Sequence, residues 1–158
     1  MKTCLCSVVV LLSTAVASAA DMKTVTISND GSAVMTIRVP QNAKLVTIIE
    51  TKDLVLNLWI VPTAKTVPEA IAGLDEVIKS EVLKFTAYRA ETITVAGTEG
   101  KHLMGTGIDA DDEVPATVDV VVFMVGKTVL VACVHGEGDT ALRQRQPMLN
   151  ALKTVKAP

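Results

Sequence analysis

The acidic segment "DADDEVP" at 109–115 interrupts a largely apolar chain and invites a metal-site interpretation. Its candidate ligands are Asp109, Asp111, Asp112 and Glu113. A calcium loop of the EF-hand type requires a glycine at its sixth position and a glutamate at its twelfth. Counted from Asp109, those positions hold Val114 and Val120. We therefore expect a solvated connection between two strands, and a divalent-ion site is the alternative.

The second candidate is His135, which Glu137 and Asp139 follow closely in the sequence. An imidazole with neighbouring carboxylates can supply general acid and base groups to a hydrolase, provided that the side chains converge. The interspersed glycines favour a simpler interpretation, in which a strand ends at His135 and Asp139 caps the next helix. His102, the other histidine, has no cysteine or third histidine at zinc spacing. The sequence therefore assigns no catalytic, cofactor-binding or metal-binding residue.

Nucleophilic chemistry finds little support in the chain. Ser28, Ser32 and Ser80 are the serines that follow the leader, and none lies in a G-x-S-x-G motif. Cys133 lies in the apolar run "TVLVACVHG", where a free cysteine is expected to be buried and unreactive. Trp59 is expected to pack in the core, with contact to a partner as its alternative role.

Charge and composition argue against nucleic acid as a partner. The chain has 15 Lys and Arg residues against 17 Asp and Glu residues, so it lacks the basic excess that phosphate binding needs. One Trp, one Tyr and two Phe residues provide no platform on which bases could stack.

Residues 1–20 have the pattern of a secretory signal peptide. Lys2 precedes an apolar run at 8–16, and the small residues "ASAA" precede Asp21. The run is shorter than the roughly 20 residues that cross a bilayer, so no membrane span is expected. We predict cleavage near Ala19 or Ala20 and a single globular domain at 21–158. A signal peptide also predicts a secreted, periplasmic location.

Apolar alternation and turn residues predict a sheet of about six to eight strands. Asp30-Gly31 and Gly126-Lys127 suit tight hairpin turns, so the flanking strands should pair antiparallel. The predicted strands lie at 23–28, 33–39, 45–50, 54–61, 85–96, 101–109, 116–125 and 127–135.

Two helices are predicted from apolar residues at intervals of three or four. The first lies near 67–83, with a stripe of Ile71, Leu74, Ile78, Val82 and Phe85. The second lies near 139–154, with Leu142, Leu149, Leu152 and Val155 on its apolar side. Because Pro147 removes a helical hydrogen bond, we expect a kink or a restart near Gln146.

This order of elements, with "VDVVVFMVGKTVLVACVHGEGDTALRQRQPMLNALKTV" at the end of the chain, resembles the Mog1/PsbP-like superfamily. Its members combine an apolar hairpin, a short polar or acidic loop and a final helix. The resemblance implies an α+β fold with a single antiparallel sheet between helices, an α/β/α sandwich. It also implies a binding or assembly role without catalysis, although a fold alone does not select a function.

The leading functional hypothesis is therefore a non-enzymatic periplasmic domain that binds a protein partner or supports envelope assembly, with no cofactor. The alternatives are a small-ligand or divalent-ion binding protein, and a hydrolase that uses His135 with Glu137 or Asp139.

Overall fold

The computed structural model describes residues 8–13, 22–29, 32–40, 44–45, 48–50 and 54–157. Its three helices are α1 (Val67–Ala72), α2 (Leu74–Ile78) and α3 (Thr140–Leu152). The strands are β1 (Val8–Ser13), β2 (Met22–Asn29), β3 (Ser32–Pro40), β4 (Lys44–Leu45), β5 (Ile48–Glu50), β6 (Val55–Ile60), β7 (Val82–Val95), β8 (Thr98–Asp109), β9 (Pro115–Val125) and β10 (Thr128–Gly136).

The main sheet has seven antiparallel strands in the order β4-β5-β6-β10-β9-β8-β7. The β9–β10 hairpin pairs Val125 with Thr128, which leaves Gly126 and Lys127 as the turn. Gly126 has a φ of 61°, a conformation that glycine adopts without steric cost. The predicted two-residue turn with glycine first is therefore confirmed, as is the antiparallel pairing of the main strands.

A second sheet of three strands, in the order β1-β2-β3, corrects the expectation of a single sheet. The predicted β2–β3 hairpin is present, although its turn residues 30–31 lie outside the described residues. Alternation of apolar residues along a strand indicates which face of that strand is buried, but not which other strand pairs with it. The sequence pattern therefore could not predict that the strands divide into two sheets.

β1 lies within the predicted signal peptide, where Val8–Ser13 pairs antiparallel with β2. This pairing belongs to the uncleaved chain and does not test whether the leader is removed. Cleavage near Ala19 or Ala20 falls outside the described residues and stays a prediction. Among the described residues, no helix combines the length and the apolar character that crossing a membrane would require.

Each face of the main sheet has its own apolar core. On one face, α3 and strands β2 and β3 cover a cluster centred on Phe123, Leu130 and Leu56. On the other face, α1 and α2 cover a cluster that includes Ile78, Val120 and Val131. The architecture is thus a sheet between two layers, but one layer combines a helix with the second sheet. The expected order of three layers, with the sheet in the middle, is therefore correct. The expectation that both outer layers consist of helices alone is not, because strands β2 and β3 lie beside α3.

The first predicted helix is shorter than expected and is divided at Gly73. Thr66 caps α1 as predicted, because its hydroxyl accepts a hydrogen bond from the Glu69 N–H at 3.3 Å. Val82 belongs to β7 rather than to the predicted helix. Phe85, which the sequence left open between the helix and the following strand, also belongs to β7. Their spacing matched the helical stripe because both face the same core as α2.

α3 continues through Pro147, which excludes a restart near Gln146, whereas the kink that was expected as the other possibility stays a prediction. The buried residues of α3 are Ala141, Met148, Ala151 and Leu152. They lie on both sides of the proline, and their packing on the sheet offsets the lost hydrogen bond. Leu142 was placed on the apolar side but is 50% exposed.

The predicted strand at 45–50 is instead two short strands, β4 and β5, paired with each other.

Candidate functional site

The sheet face under α3 contains a largely buried ionic cluster, which we call the buried cluster: His102, Asp119 and Arg145. His102 Nε2 lies 2.6 Å from Asp119 Oδ1. Arg145 donates through Nε to Oδ1 at 2.9 Å and through Nη2 to Oδ2 at 3.1 Å. Both side chains on the strands are nearly inaccessible, 4% exposed for His102 and 2% for Asp119. Each Asp119 oxygen therefore has a cationic or imidazole partner, as a buried carboxylate requires.

The sequence held one unused signal for the buried cluster. Asp119 interrupts the apolar run "ATVDVVVFMV", and an ionised group inside a covered strand needs a partner. Its partners lie 17 and 26 positions away, so no local spacing identified them.

A second histidine–carboxylate group, which we call the sheet-end cluster, lies on the opposite face beside α2. It consists of His135, Asp109, Glu81 and Asn57. His135 Nδ1 is 3.2 Å from Asp109 Oδ2, and its Nε2 is 3.5 Å from Glu81 Oε2. Asn57 Nδ2 lies 3.4 Å from the same Nε2. The side chains are partly open to solvent, 14% exposed for His135 and 27% for Glu81.

These partners differ from those that the hydrolase hypothesis assumed. Glu137 is exposed, and the carboxylate of Asp139 pairs with Arg143 on the helix surface. Asp139 does occupy the N-cap position of α3, but its side chain makes no cap hydrogen bond, contrary to the prediction. The structure therefore brings His135 together with Asp109, a residue of the acidic segment, rather than with its neighbours in the sequence.

The sheet-end cluster is only loosely bonded. His135 Nδ1 is shielded from solvent, yet no atom of the described residues reaches it with hydrogen-bond geometry. Neutral imidazole can accept from Asn57 at Nε2, whereas protonated imidazole can donate there to Glu81. Nε2 of His135 thus faces both a donor, the Asn57 amide, and an acceptor, the Glu81 carboxylate.

Asp109 connects this cluster to the acidic loop between β8 and β9. Its Oδ1 accepts hydrogen bonds from the N–H groups of Asp111 at 3.0 Å and Asp112 at 3.2 Å. Partial burial alone would raise the pKa of Asp109, but these two bonds and the attraction to His135 lower it below its ordinary 3.8. The carboxylate of Asp109 therefore organises the turn while it faces the imidazole.

The remaining acids of the loop do not converge. Asp111, Asp112 and Glu113 are exposed, as expected for a solvated connection between strands. Within the described part of the chain, no three His, Cys, Asp or Glu side chains are arranged to hold a metal ion. In the sheet-end cluster the reason is geometric, because Asp109 and Glu81 contact opposite nitrogens of His135.

Cys133 precedes His135 on the same strand and is fully buried, as predicted. Burial raises the pKa of its thiol, and the nearby charges of Glu81 and Asp119 raise it further. Because the thiolate is the reactive form, this cysteine is poorly suited to act as a nucleophile with His135.

β7 is one of the two end strands of the main sheet, and its neighbour is β8. Residues 86–92 are all exposed, and Tyr88 is 65% exposed. We call residues 86–92 the edge segment.

Arg145 lies close to Tyr88 of the edge segment. The hydrogen bond to Asp119 raises the pKa of Arg145, although burial alone would lower it. The negative charge of Asp119 and the nearby Tyr88 side chain raise this pKa further. The buried cluster thus reaches the surface beside the edge segment.

On the other face, an apolar groove of about 460 Å³ lies between α1 and the neighbouring strands. Its apolar lining includes Val67, Pro68, Ile71 and Met124, and Glu99 and Lys101 stand at its rim. Trp59 packs with this face of the core, where it is partly buried. This position agrees with the core role that was expected for Trp59.

Comparison with known proteins identifies the fold. No protein-family model and no curated protein matches the chain. The solution structure of cyanobacterial PsbP (CyanoP) from Synechocystis sp. PCC 6803 matches with a TM-score of 0.57 at 11% identity, covering 92% of this chain and 98% of that one. A Pseudomonas aeruginosa protein of unknown function matches with a TM-score of 0.44 at 11% identity, covering 75% of this chain and 88% of that one. The fold is therefore PsbP-like, which confirms the predicted resemblance at the level of fold.

Proposed function

We propose that this protein is a non-enzymatic, exported domain that binds another protein through the edge segment of β7. The single observation that carries the proposal is the exposure of all seven residues at 86–92 on the end strand of a large sheet. An end strand offers backbone N–H and C=O groups to an added strand, which is a recurrent mode of protein recognition. Folded proteins usually cover or blunt such edges, so one left open is a candidate interface.

The chemistry beside the edge segment also suits a protein interface. Tyr88 and Leu142 are among the most exposed large apolar side chains, and Arg145 lies one helical turn after Leu142 on the same side of α3. Tyrosine and arginine are enriched at interface positions that contribute most to affinity. The buried cluster fixes the guanidinium of Arg145, so this part of the surface loses little freedom on binding.

A non-enzymatic role is consistent with the two histidine clusters. His102 and Asp119 of the buried cluster are nearly inaccessible from solvent. Beside the sheet-end cluster, the thiol of Cys133 is buried and its pKa is raised, which disfavours the reactive thiolate. Export rests on the leader at residues 1–20.

Site-specific photo-crosslinking in cells tests this function. A photoreactive residue at Ala90, in the edge segment, should give a discrete adduct with a protein identifiable by mass spectrometry. The matched control places the same residue at Glu76, an exposed position on α2. Adduct formation at Glu76 but not at Ala90 would contradict the proposal.

A second candidate function is the binding of a small apolar ligand in the α1 groove. Its volume of about 460 Å³ lies within the range of ligand pockets in proteins. A ligand with an apolar body would contact Ile71 and Met124. Thermal-shift measurements with aliphatic ligands test this role, because Ile71→Trp should fill the groove and abolish any stabilisation seen in the parent protein.

A further inference from the structure

The edge segment contains a charge pattern that is complementary to itself. Arg89 and Glu91 are two positions apart on β7, so they project from the same face of the strand. Their register partners on β8 are Met104 and His102. His102 contacts Asp119, which also binds Arg145 of α3, so this is the α3 face of the sheet. The two side chains form an exposed ion pair within one chain. Such a pair contributes little to stability, and its members can exchange partners at small cost.

The charges of Arg89 and Glu91 favour one register when two copies of β7 pair around a two-fold axis. Two copies of β7 can pair antiparallel around a two-fold axis perpendicular to the sheet, which keeps the α3 face of both copies on one side. If Ala90 lies on the axis, Arg89 of each copy stands opposite Glu91 of the other. If the axis passes through Arg89 or Glu91 instead, like charges meet directly, which is unfavourable for cross-strand neighbours.

We propose that the edge segment binds a second copy of this chain, with β7 paired antiparallel to itself and centred on Ala90. This inference rests on the proposed function, since it names the partner at the same surface. The main sheets of the two copies then form one continuous sheet, and the edge of each is covered by the other. The small side chain of Ala90 leaves space for the two strands at the axis.

The shape of β7 limits how far the pairing extends. Its register against β8 shifts between Leu83 and Thr86 and again between Ala87 and Arg89. Bulges of this kind twist a strand and interrupt a regular ladder. The self-pairing is therefore concentrated at residues 89–91, and a reversible dimer that depends on concentration is expected.

Charge exchange tests the register directly. Sedimentation of the purified exported protein should show a dimer that strengthens with concentration. Arg89→Glu and Glu91→Arg each place like charges together twice in a symmetric dimer, so each should weaken dimerisation on the order of tenfold or more. An equimolar mixture of these two variants should restore dimers, because every cross-strand pair in the mixed dimer is again opposite in charge. Glu76→Arg on α2 is the control and should leave dimerisation unchanged.

Three results would overturn the inference: a monomeric parent protein at high micromolar concentration, single variants that dimerise like the parent, or a mixture that stays monomeric. The proposed function is separately tested by the Ala90 crosslink. A monomeric protein that still crosslinks at Ala90 to a different protein would retain that function and exclude the second copy as its partner.

Discussion

The buried cluster and the sheet-end cluster combine the same groups, a histidine and carboxylates, in opposite environments. His102 and Asp119 lie in the middle of the sheet beneath α3, and their atoms are matched at hydrogen-bond distance. His135 and Asp109 lie where strands end, and His135 Nδ1 lacks a well-formed hydrogen bond among the described residues. Position along the strand therefore separates a cluster whose polar atoms are closely paired and buried from one whose polar atoms are loosely paired and partly open to solvent.

The largest expected effect follows from Asp119→Asn. This change removes the charge that holds Arg145 and His102, leaving the partly buried guanidinium and the buried imidazole poorly paired. Removing one partner of a buried ion pair lowers the free energy of unfolding by about 3–5 kcal/mol. Urea unfolding should show a loss of this order. The control is Asp139→Asn, whose carboxylate forms an exposed pair with Arg143 on the same helix and should cost under about 1 kcal/mol. Equal losses in both variants would remove the distinction between buried and exposed pairs.

Asp109→Asn should have a smaller effect that depends on pH. Hydrogen bonds to a charged group contribute about 1.5–3 kcal/mol each when buried, and partial exposure should reduce the total loss to about 1–2 kcal/mol at neutral pH. Because the folded-state pKa of Asp109 lies below its ordinary 3.8, its stabilisation is present above pH 3.8 and is lost as the pH falls further. Unfolding curves of parent and variant should therefore converge at low pH. A difference that is constant with pH would show that the charge of Asp109 is unimportant.

Thiol labelling measures how readily the face of the sheet-end cluster opens. Cys133 is buried on the face of the sheet-end cluster, so a polar thiol reagent should react with it only after the structure opens. We expect no measurable labelling of the folded protein within minutes and full labelling in denaturant. Fast labelling without denaturant would show that the α2 face opens readily and would contradict the burial of Cys133.

The smallest effect is expected from replacing Asp111 and Asp112 together with Asn. Their side chains are exposed, and their contribution to the turn comes from backbone N–H groups that the substitution retains. Stability should change by less than about 1 kcal/mol. If calcium or magnesium at low millimolar concentration stabilises the parent by more than this and leaves the double variant unaffected, the divalent-ion alternative is supported instead.

Sequence patterns predicted the main strands well because alternation is local. The β9–β10 hairpin followed from two apolar runs around Gly126, and both partners of the pairing are close in the chain. The first helix was predicted too long because Val82 lies on β7 yet contributes to the same core as Ile78 on α2. A stripe of buried residues does not show where one element ends and the next begins.

The candidate sites were less predictable because they depend on contacts between distant residues. His135 was identified as a candidate, but its partners Glu81 and Asp109 are brought to it by the sheet and by α2. Asn57 interrupts the apolar strand "LVLNLWIV", and its contact with His135 spans 78 positions. A polar residue within an apolar strand is thus the sequence signal for such a cluster. The residues that pair with it can be identified only from the folded structure.

Amide hydrogen exchange of the edge segment tests the central claim, that β7 is the surface at which this protein binds another chain. The exported protein is compared alone at low concentration and in the complex recovered through the Ala90 crosslink. Added strand pairing should slow exchange at residues 86–92, because outward-facing N–H groups become hydrogen-bonded, while α1 and its groove remain unchanged. Slowed exchange around Val67 and Ile71 with no change at 86–92 would place binding at the groove and contradict the account.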